Sequence, residues 1–284
     1  MDHQLKYTAI IVIYNKSVAD SVTCDCIDKL KSIDLDVLIV DNSTSDYNNA
    51  IECEKRHYKY ISMGGNKGLS KAYNVAIDNS EADILIFFDD DTEISEDYFT
   101  VLKESVNNNW DIDIFAPIVY GQDGVIYSPN EFNFLRNKFI SSPQEEINPE
   151  KFNAIASCLA VRKKVFESYR FDETLFVDQV DQYFFCQQRS FGRKFMKINT
   201  SICQNFYQRG EILTPEAGWR RVRLRLVDVM RHAKLMQERQ YYILGFIKCV
   251  GLSVQIAIKT KSINVLLKGM VLSVRLLFNT PMTN

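Results

Sequence analysis

The stretch DILIFFDDDT, residues 83–92, places a continuous apolar run directly before three consecutive carboxylates. Two further apolar runs stand upstream, YTAIIVIY at 7–14 and DVLIVDN at 36–42. Short, continuous runs rich in β-branched residues are typical of strands covered on both faces. Apolar residues at helical spacing follow at 18–33, 69–77 and 96–106, and a short strand is expected at 60–63. Because strands alternate with helices, the sequence predicts an α/β fold, with a mostly parallel sheet and helices on both faces.

The region after residue 114 has a less regular pattern. Two apolar runs flank the turn QDG at 122–124 and predict a hairpin over 115–128. Residues 129–150 contain three prolines and are expected to form a long mobile loop, of the kind that often serves as a lid. Further elements are expected as a strand around 156–161, a helix from Lys163, and a pair of strands at 195–198 and 202–206.

The composition indicates a globular protein with a large core. Of 284 residues, 46% are hydrophobic and 12% aromatic, which excludes a disordered chain, a collagen-like repeat and a disulfide miniprotein. The net charge of −2 argues against a general nucleic-acid binder. The charge is uneven, because residues 217–284 carry a net +10 and residues 1–216 a net −12. We therefore expect two domains, an acidic body over 1–216 and a basic region over 217–284.

The basic region predicts three helices, at 219–240, 241–258 and 263–278. A membrane-spanning helix needs about 20 largely apolar residues, and each of these is too short or is interrupted by Lys or Arg. They are expected to lie as amphipathic helices on an anionic membrane surface. Packing on the body, or on a second subunit in a homo-oligomer, is the alternative. Seven cysteines without metal-ligand spacing, and an N-terminus unlike a signal peptide, favour a cytoplasmic location at the inner face of the cell membrane.

The carboxylates Asp89, Asp90 and Asp91 are the strongest candidates for chemistry. In extended backbone alternate side chains point the same way, so Asp89 and Asp91 can converge while Asp90 turns elsewhere. Two hard oxygen ligands at the carboxyl end of a strand can hold Mg²⁺ or Mn²⁺ and leave positions for phosphate oxygens. A solvated acidic loop, or a helix cap before Ile94, is the alternative. The position directly after a buried strand favours the metal site.

Two other segments are expected at the same edge of the sheet. Asp41 ends an apolar run and can accept hydrogen bonds from a nucleotide base or ribose, although Asp41-Asn42-Ser43 is also a good turn sequence. The stretch GGNKGLSKAYN, residues 64–74, is a glycine-rich turn that enters a helix and presents backbone amides to an anion. It can equally be a plain strand-to-helix connection. With the acidic triplet, these segments would complete a pocket for a nucleoside diphosphate.

Asp181 is the candidate general base, and it lies in the segment FDETLFVDQVDQYFFCQQRSFG at 171–192. If 180–190 is a helix, Asp181 lies in its first turn, where the helix dipole favours an anion. An exposed helix cap is therefore the alternative to a carboxylate that deprotonates an acceptor hydroxyl. The three histidines share no spacing with one another or with these acids, so no zinc site and no His-activated nucleophile is indicated.

The elements YTAIIVIYN, VLIVDNSTSD, GGNKGLSKAYNVAI, DILIFFDDDT and FVDQVDQYFFCQQRSFGRKF, in this order, resemble the family 2 inverting glycosyltransferases of GT-A fold. The resemblance covers about residues 7–207 and is greatest to the bacterial rhamnosyltransferase and galactofuranosyltransferase branch. It implies a Rossmann-like GT-A domain, which here would be followed by the helical C-terminal region.

The resemblance also implies a role for each candidate residue. Asp89 and Asp91 would bind Mg²⁺ or Mn²⁺ on the diphosphate, and Asp181 would be the catalytic base. Asp41 would contact the nucleotide base, and residues 66–74 would line the sugar-nucleotide site. The residues assigned to binding of the donor are Asp41, Asn66, Gly68, Asn74 and Asp90.

Two positions depart from the family pattern. A second acid often follows the catalytic base, and here Tyr183 or Phe184 stands in its place. A metal-binding His is common after the last strand, where this sequence reads CQNF at 203–206. Water, or an amide oxygen of Gln204 or Asn205, would have to fill that ligand position.

The sequence thus predicts a metal-dependent inverting glycosyltransferase that moves a rhamnose-like or other hexose from a nucleotide diphosphate sugar to a saccharide. The basic region suits a lipid-linked acceptor in cell-envelope or capsular polysaccharide synthesis. One alternative is a sugar-1-phosphate nucleotidyltransferase, although its basic, glycine-rich signature is absent from IYNKSVADS at 13–21. The other alternative, favoured by the missing His, is a non-catalytic module that binds a nucleotide sugar or a membrane. No nucleic-acid partner is expected.

Overall fold

The computed structural model describes residues 4–30, 34–204 and 214–279. The strands are β1 Tyr7–Ile13, β2 Asp36–Asp41, β3 Lys59–Ser62, β4 Ile84–Phe88, β5 Thr92–Glu93, β6 Ile114–Gly121, β7 Ile126–Ser128, β8 Asn130–Glu131, β9 Lys138–Phe139, β10 Phe152–Asn153, β11 Leu159–Arg162 and β12 Phe195–Gln204. The helices are α1 Val22–Lys29, α2 Asn49–Lys55, α3 Leu69–Asp78, α4 Glu96–Asn108, α5 Val180–Ser190, α6 Pro215–Leu235, α7 Arg239–Thr260 and α8 Ile263–Asn279. Asn205 and Phe206, and the end of the predicted helix at 18–33, lie outside the described residues.

Nine of these strands form one sheet in the order β3-β2-β1-β4-β11-β6-β12-β5, with β7 paired to β6. β1 runs parallel to β2 and β4, β2 runs parallel to β3, and β6 runs parallel to β12. β11 is inserted antiparallel between β4 and β6. Because helices connect the parallel strands, the predicted α/β class is confirmed, and its mixed sheet is followed by the expected C-terminal helices.

Alternate residues of the central strands enter two separate hydrophobic layers. Ile10 and Phe87 belong to one layer, whereas Ile11 and Phe88 belong to the other, and all four are at most 1% exposed. A strand covered on both faces has no polar side in its middle. The charged residues therefore follow β4 only where it leaves the core, at its carboxyl end.

Residues 129–150 differ from the predicted mobile loop. They contain β8 and β9, which form a small antiparallel sheet with β10. Ile140 and Ile147 are buried in the core, and Lys197 Nζ donates to the carbonyl oxygen of Glu145 at 2.6 Å. The segment is anchored to the body, but its two-residue strands are too short to give a periodic pattern in the sequence.

Three smaller expectations have mixed outcomes. The hairpin is confirmed, because β6 pairs antiparallel with β7. The helix expected from Lys163 is a single 3₁₀ segment, Lys163–Glu167. The two strands expected over 195–206 form one strand, β12, whose pairing with β6 shifts register between Lys197 and Ser201. A bulge accommodates the polar residues that interrupt the apolar pattern there.

The three C-terminal helices agree with the predicted ones to within a few residues. They pack around a common small core that includes Leu226, Met230 and Cys249. α6 begins at Pro215, where Thr214 Oγ1 accepts a hydrogen bond from the N–H of Ala217 at 3.3 Å. In the described part of the chain, α7 alone is long and apolar enough to cross a membrane. The sequence had predicted that none of the three helices would be.

Candidate active site

The acidic triplet at the carboxyl edge of the sheet is fixed by side chains at the start of α1. Thr23 Oγ1 donates to the carbonyl oxygen of Asp89 at 2.5 Å and accepts from the N–H of Thr92 at 3.0 Å. Ser21 Oγ donates to the carbonyl oxygen of Asp90 at 2.8 Å. Because these bonds satisfy backbone groups of the turn, they hold the three carboxylates in one arrangement.

The side chains of the triplet face different partners. Asp90 pairs with Lys16, at 3.4 Å between Oδ2 and Nζ. Asp89 Oδ2 instead accepts a hydrogen bond at 2.5 Å from Nε2 of Gln204, at the end of β12. Burial and the charge of Asp91 raise the pKa of Asp89 to about 6. Burial, followed by the charge of Asp90, also raises the pKa of Asp91.

The surroundings of Asp89 and Asp91 fit a divalent cation. No described Lys or Arg forms an ion pair with either carboxylate. Gln204 is 6% exposed, and its Oε1 has no hydrogen-bond partner among the described residues. Two carboxylates and an amide oxygen are hard ligands of the kind that Mg²⁺ and Mn²⁺ prefer. Within the described residues no group of three or more His, Cys, Asp or Glu could hold a metal ion. The amide oxygen of Gln204 would therefore be the third ligand beside Asp89 and Asp91.

The glycine-rich loop is held by a residue that sequence reasoning treated only as part of a turn. Asn42 Oδ1 accepts from the N–H of Lys67 at 2.7 Å, and its Nδ2 donates to the carbonyl oxygen of Gly68 at 3.2 Å. Within the loop, Asn66 Oδ1 accepts from the N–H of Gly68 at 3.2 Å. Its place next to Asp41 was the only signal in the sequence for this role of Asn42.

Gly68 permits a close backbone approach. Its φ is +93°, and a Cβ there would lie 2.8 Å from the Phe176 ring and 2.9 Å from the Phe176 carbonyl oxygen. That same oxygen accepts a hydrogen bond at 2.6 Å from the N–H of Leu69, the first residue of α3. The glycine-rich loop is therefore fixed to the segment that leads into α5.

Asp41 and Asn74 are both buried and bonded within the chain. Asp41 Oδ2 accepts hydrogen bonds from Asn49 Nδ2 at 2.8 Å and from the Tyr60 hydroxyl at 3.1 Å. Asn74 bonds both the N–H and the carbonyl oxygen of Phe171, each at 2.9 Å. Both side chains thus brace the walls of the crevice, and their contact with a nucleotide stays a prediction.

Asp181 lies in the first turn of α5, where its Oδ2 accepts from the N–H of Ala156 at 3.2 Å. Burial raises the pKa of Asp181 to about 7, and the charge of Asp89 adds to the shift. Burial, followed by the charges of Asp181 and Asp89, also raises the pKa of Tyr73. Because the charges of Asp89 and Asp181 affect the pKa values of their neighbours, the candidate base, the candidate metal ligand and a buried tyrosine lie in one site.

Asp228 on α6 is a site-organising residue that sequence reasoning missed. It is fully buried, and its carboxylate accepts hydrogen bonds from three consecutive backbone N–H groups. The donors are Phe176 at 3.0 Å, Val177 at 2.8 Å and Asp178 at 2.9 Å. Its only signal in the sequence was its rarity, as one of two acids in a basic region. The C-terminal helices are thus attached directly to the segment that precedes Asp181.

The fold and these residues together define an α/β protein with an acidic crevice at the carboxyl edge of its sheet, the position where such sheets bind ligands. The model of the Glycosyl transferase family 2 matches residues 8–170, more than half of the chain. The chain therefore belongs to this family, and the resemblance seen in its sequence is confirmed.

Two curated relatives are similar over part of their length. The dTDP-rhamnosyl transferase RfbF of Shigella flexneri is 33% identical over 183 residues, which cover 61% of this chain and 60% of that protein. The teichoic acid poly(glycerol phosphate) polymerase of Staphylococcus epidermidis is 24% identical over 229 residues, which cover 74% of this chain and 29% of that protein. The matches thus span less than two thirds of either relative.

Solved structures share the fold. The mannosyltransferase PcManGT from Pyrobaculum calidifontis, in complex with GDP-Man and Mn²⁺, has a TM-score of 0.57 at 11% identity, over 96% of this chain and 76% of that one. A fragment of S. aureus TarS in complex with UDP has a TM-score of 0.52 at 14% identity, over 97% of this chain and 90% of that one. At these identities the likeness concerns the fold alone, and it confirms the predicted GT-A architecture.

Proposed function

We propose that this protein is an inverting glycosyltransferase, which moves a sugar from a nucleoside diphosphate sugar to a hydroxyl of a saccharide acceptor. The observation that carries the proposal is the position of Asp181 in the first turn of α5, where its Oδ2 accepts from the N–H of Ala156, in the same site as Asp89. Burial, followed by the charge of Asp89, raises the pKa of Asp181, and a raised pKa suits a carboxylate that accepts a proton near neutral pH. Membership of the glycosyltransferase family supports the same chemistry.

Asp181 is the proposed base. The N–H of Ala156 occupies Oδ2 and leaves Oδ1 for the acceptor hydroxyl. As the proton moves to Asp181, the hydroxyl oxygen bonds to the anomeric carbon, and the bond from that carbon to the diphosphate oxygen breaks. Attack from the side opposite the leaving group inverts the carbon in one displacement. No covalent intermediate between the sugar and the protein is required.

Asp89 and Asp91 are the proposed ligands of Mg²⁺ or Mn²⁺, with Gln204 Oε1 in place of the His that the family commonly supplies. Such a cation, when bound, supplies the positive charge that stabilises the departing diphosphate. The chain contributes two partly buried carboxylates and a buried amide, in which Gln204 Nε2 already orients Asp89. The fold neighbour in complex with Mn²⁺ supports this assignment.

The donor is proposed to lie between the glycine-rich loop and the ends of β2 and β4. Asn66 and Gly68 would present the loop to it, and Asp90 would act together with its partner Lys16. Asp41 and Asn74 would shape the walls of the site. The relative named as a dTDP-rhamnosyl transferase and the neighbour in complex with UDP support a nucleoside diphosphate sugar, with a rhamnose-like or other hexose.

The acceptor is proposed to be a saccharide attached to a lipid, in cell-envelope or capsular polysaccharide synthesis. The basic helices over 217–284 support attachment of the protein to the inner face of the cell membrane. Attachment would concentrate the protein and a lipid-linked acceptor on one surface.

Asp181→Asn tests the proposed base. The variant should bind nucleotide sugars as the wild type does, in a thermal-shift panel of UDP-, dTDP- and GDP-sugars with Mn²⁺. It should lose transfer by at least about 100-fold, because it cannot accept a proton. The control is Glu167→Gln, an exposed carboxylate at the end of the 3₁₀ segment Lys163–Glu167, which should retain transfer. Unchanged transfer by Asp181→Asn would remove this residue from the role.

The same assays separate the alternatives. A non-catalytic module, which the missing His favours, would bind a nucleotide sugar but neither transfer nor hydrolyse it with Mg²⁺ or Mn²⁺. A sugar-1-phosphate nucleotidyltransferase would instead release pyrophosphate from a nucleoside triphosphate. Transfer to an acceptor, with release of nucleoside diphosphate, is the result that the proposed function requires.

A further inference from the structure

The outer face of α8 carries a row of exposed apolar side chains beside several cations. The row consists of Ile263, Leu267, Val271, Val274 and Phe278, which are between 43% and 76% exposed. Their spacing of three or four residues places them on one side of the helix. Monomeric proteins seldom leave such a continuous apolar row in water, so a partner for this face is expected.

A groove beside the row indicates the chemical nature of that partner. The groove has a volume of about 430 Å³ and is lined by Trp219, Leu267, Val271, Arg223, Lys268 and Arg275. Lys268 Nζ lies 5.9 Å from the centre of the Trp219 ring. Within the described residues none of the three cations forms an ion pair, and the sequence holds no Asp or Glu beyond Glu238. An apolar groove with only positive charge at its rim matches an anionic amphiphile.

We propose that the α8 face, defined as the apolar row and this groove, docks on an anionic lipid surface, with a lipid phosphate group held by Arg223, Lys268 and Arg275. The surface itself is independent of the donor site, but the choice of a membrane rests on the proposed function, because a lipid-linked acceptor is found there. A second copy of the chain fits less well. A symmetric contact through this face would place Lys268 and Arg275 against their own counterparts.

The contacts between α7 and the body favour binding of the protein to the membrane surface over insertion of α7 into the bilayer. Lys248 lies in the middle of α7, and its Nζ donates to the carbonyl oxygen of Phe134 at 2.6 Å and to Oε1 of Gln179 at 3.2 Å. The same Gln179 oxygen lies 3.2 Å from Nδ1 of the buried His232. Insertion of α7 into a bilayer would break these contacts and bury an ammonium in hydrocarbon. The chain should therefore lie on the surface and not cross it.

Vesicle sedimentation with the full chain tests the proposal. Wild type should bind phosphatidylcholine vesicles that contain phosphatidylglycerol, and should not bind vesicles of phosphatidylcholine alone. Removing one cation near an anionic surface weakens binding by about fivefold, so Lys268→Gln with Arg275→Gln should weaken it by about 25-fold. Leu267→Gln with Val271→Gln should weaken it by at least about tenfold.

Matched variants serve as controls. Lys55→Gln with Lys138→Gln removes the same charge from exposed positions on the body, 67% and 64% exposed, and should leave vesicle binding within about twofold. Ile51→Gln removes an exposed apolar side chain from α2 and should have no effect. Equal loss of binding in the body variants would show a general charge effect and overturn the assigned face.

Three further results would overturn the proposal. Binding of inorganic phosphate without any binding of vesicles would assign the groove to a soluble anion. Wild type that forms dimers which Leu267→Gln dissociates would assign the face to a second copy. Vesicle binding that resists high salt would indicate insertion of α7.

Transfer to a soluble saccharide, without vesicles, separates this inference from the proposed function. The α8 variants should transfer at the wild-type rate, because they lie outside the acidic crevice. Wild type that binds vesicles through the α8 face but transfers no sugar would overturn the proposed function alone. If the protein transferred sugar and the α8 variants bound vesicles as well as wild type does, the inference alone would be overturned.

Discussion

Asp181 is held half-buried beside another carboxylate, and this environment affects stability as well as chemistry. Its pKa is raised from 3.8 to about 7, so the folded protein disfavours the charged form more than the unfolded chain does. The resulting cost to the free energy of unfolding is absent below pH 3.8, grows as the pH rises and is complete above pH 7. Asn cannot ionise, and its oxygen can still accept from Ala156.

Asp181→Asn should therefore stabilise the protein at pH 8, by about 1–2 kcal/mol after allowance for solvent screening. The melting temperature should rise by about 2–6 °C, and the gain should shrink when both proteins are melted at pH 5. A variant that melts below wild type at pH 8 would contradict the raised pKa.

Gln204 contributes one buried amide to the acidic crevice. Gln204→Leu would remove both the hydrogen bond to Asp89 and the unpartnered Oε1, and we expect the affinity for Mn²⁺ to fall by about 10-fold or more. Gln204→His should retain or increase that affinity, since it restores a nitrogen ligand. Cys203→Ala, at the exposed neighbouring position of β12, is the control. Electron paramagnetic resonance of free Mn²⁺ measures all three, and equal affinities would exclude Gln204 as a ligand.

At the scale of elements, the start of α3 depends on Gly68, which has a positive φ and lies in close contact with Phe176. Gly68→Ala would bring a Cβ within 2.8 Å of Phe176 at a φ of +93°. Gly64 in the same loop also has a positive φ, +63°, but open space around it. We expect Gly64→Ala to cost about 1 kcal/mol from backbone strain, and Gly68→Ala about 2–4 kcal/mol. Urea unfolding of the two variants compares these costs, and equal values would mean that contact with Phe176 adds nothing.

The junction between α6 and the segment before α5 depends on Asp228. Asp228→Asn would turn an N–H₂ group toward three N–H donors, so at least one hydrogen bond is lost, at a cost of about 1–3 kcal/mol. Because that segment leads into α5, kcat for sugar transfer should fall more than the affinity for the donor. Glu216→Gln, an exposed carboxylate on the same helix, should change neither. A purely structural role would lower stability and leave kcat of the folded enzyme unchanged.

The sequence predicted the elements whose signals are local. β1, β2 and β4 are continuous apolar runs, and Asp41 and Asp89 could be placed at one edge because parallel strands end together. The sequence predicted two strands where the structure has one, β12, because polar residues at a bulge interrupt its apolar pattern. Asn42 and Asp228 could not be found, since each bonds a segment that is distant in the chain and leaves no pattern of its own. Gln204 was noticed only because the family commonly has a His nearby.

At the scale of the whole molecule, the helices after residue 214 form part of the crevice's support. Asp228 fixes the segment at 176–178, His232 lies against Gln179, and Lys248 reaches Phe134. In contrast, the main contacts of α8 are with α6 and α7. The two regions predicted from charge and helical pattern, 1–216 and 217–284, are therefore joined by contacts from α6 and α7, and we propose that they unfold as one unit.

Truncation at two places tests this organisation. A chain ending at residue 261 lacks α8 but keeps Asp228, His232 and Lys248, so it should unfold cooperatively and bind nucleotide sugars with an affinity within about threefold of wild type. A chain ending at residue 214 also leaves the N–H groups at 176–178 without their acceptor and exposes apolar surface of the body, so it should lose both properties. Circular dichroism melts and donor titrations measure the two outcomes. If the chain ending at residue 214 melted cooperatively and bound the donor like wild type, the C-terminal helices would be a separable domain.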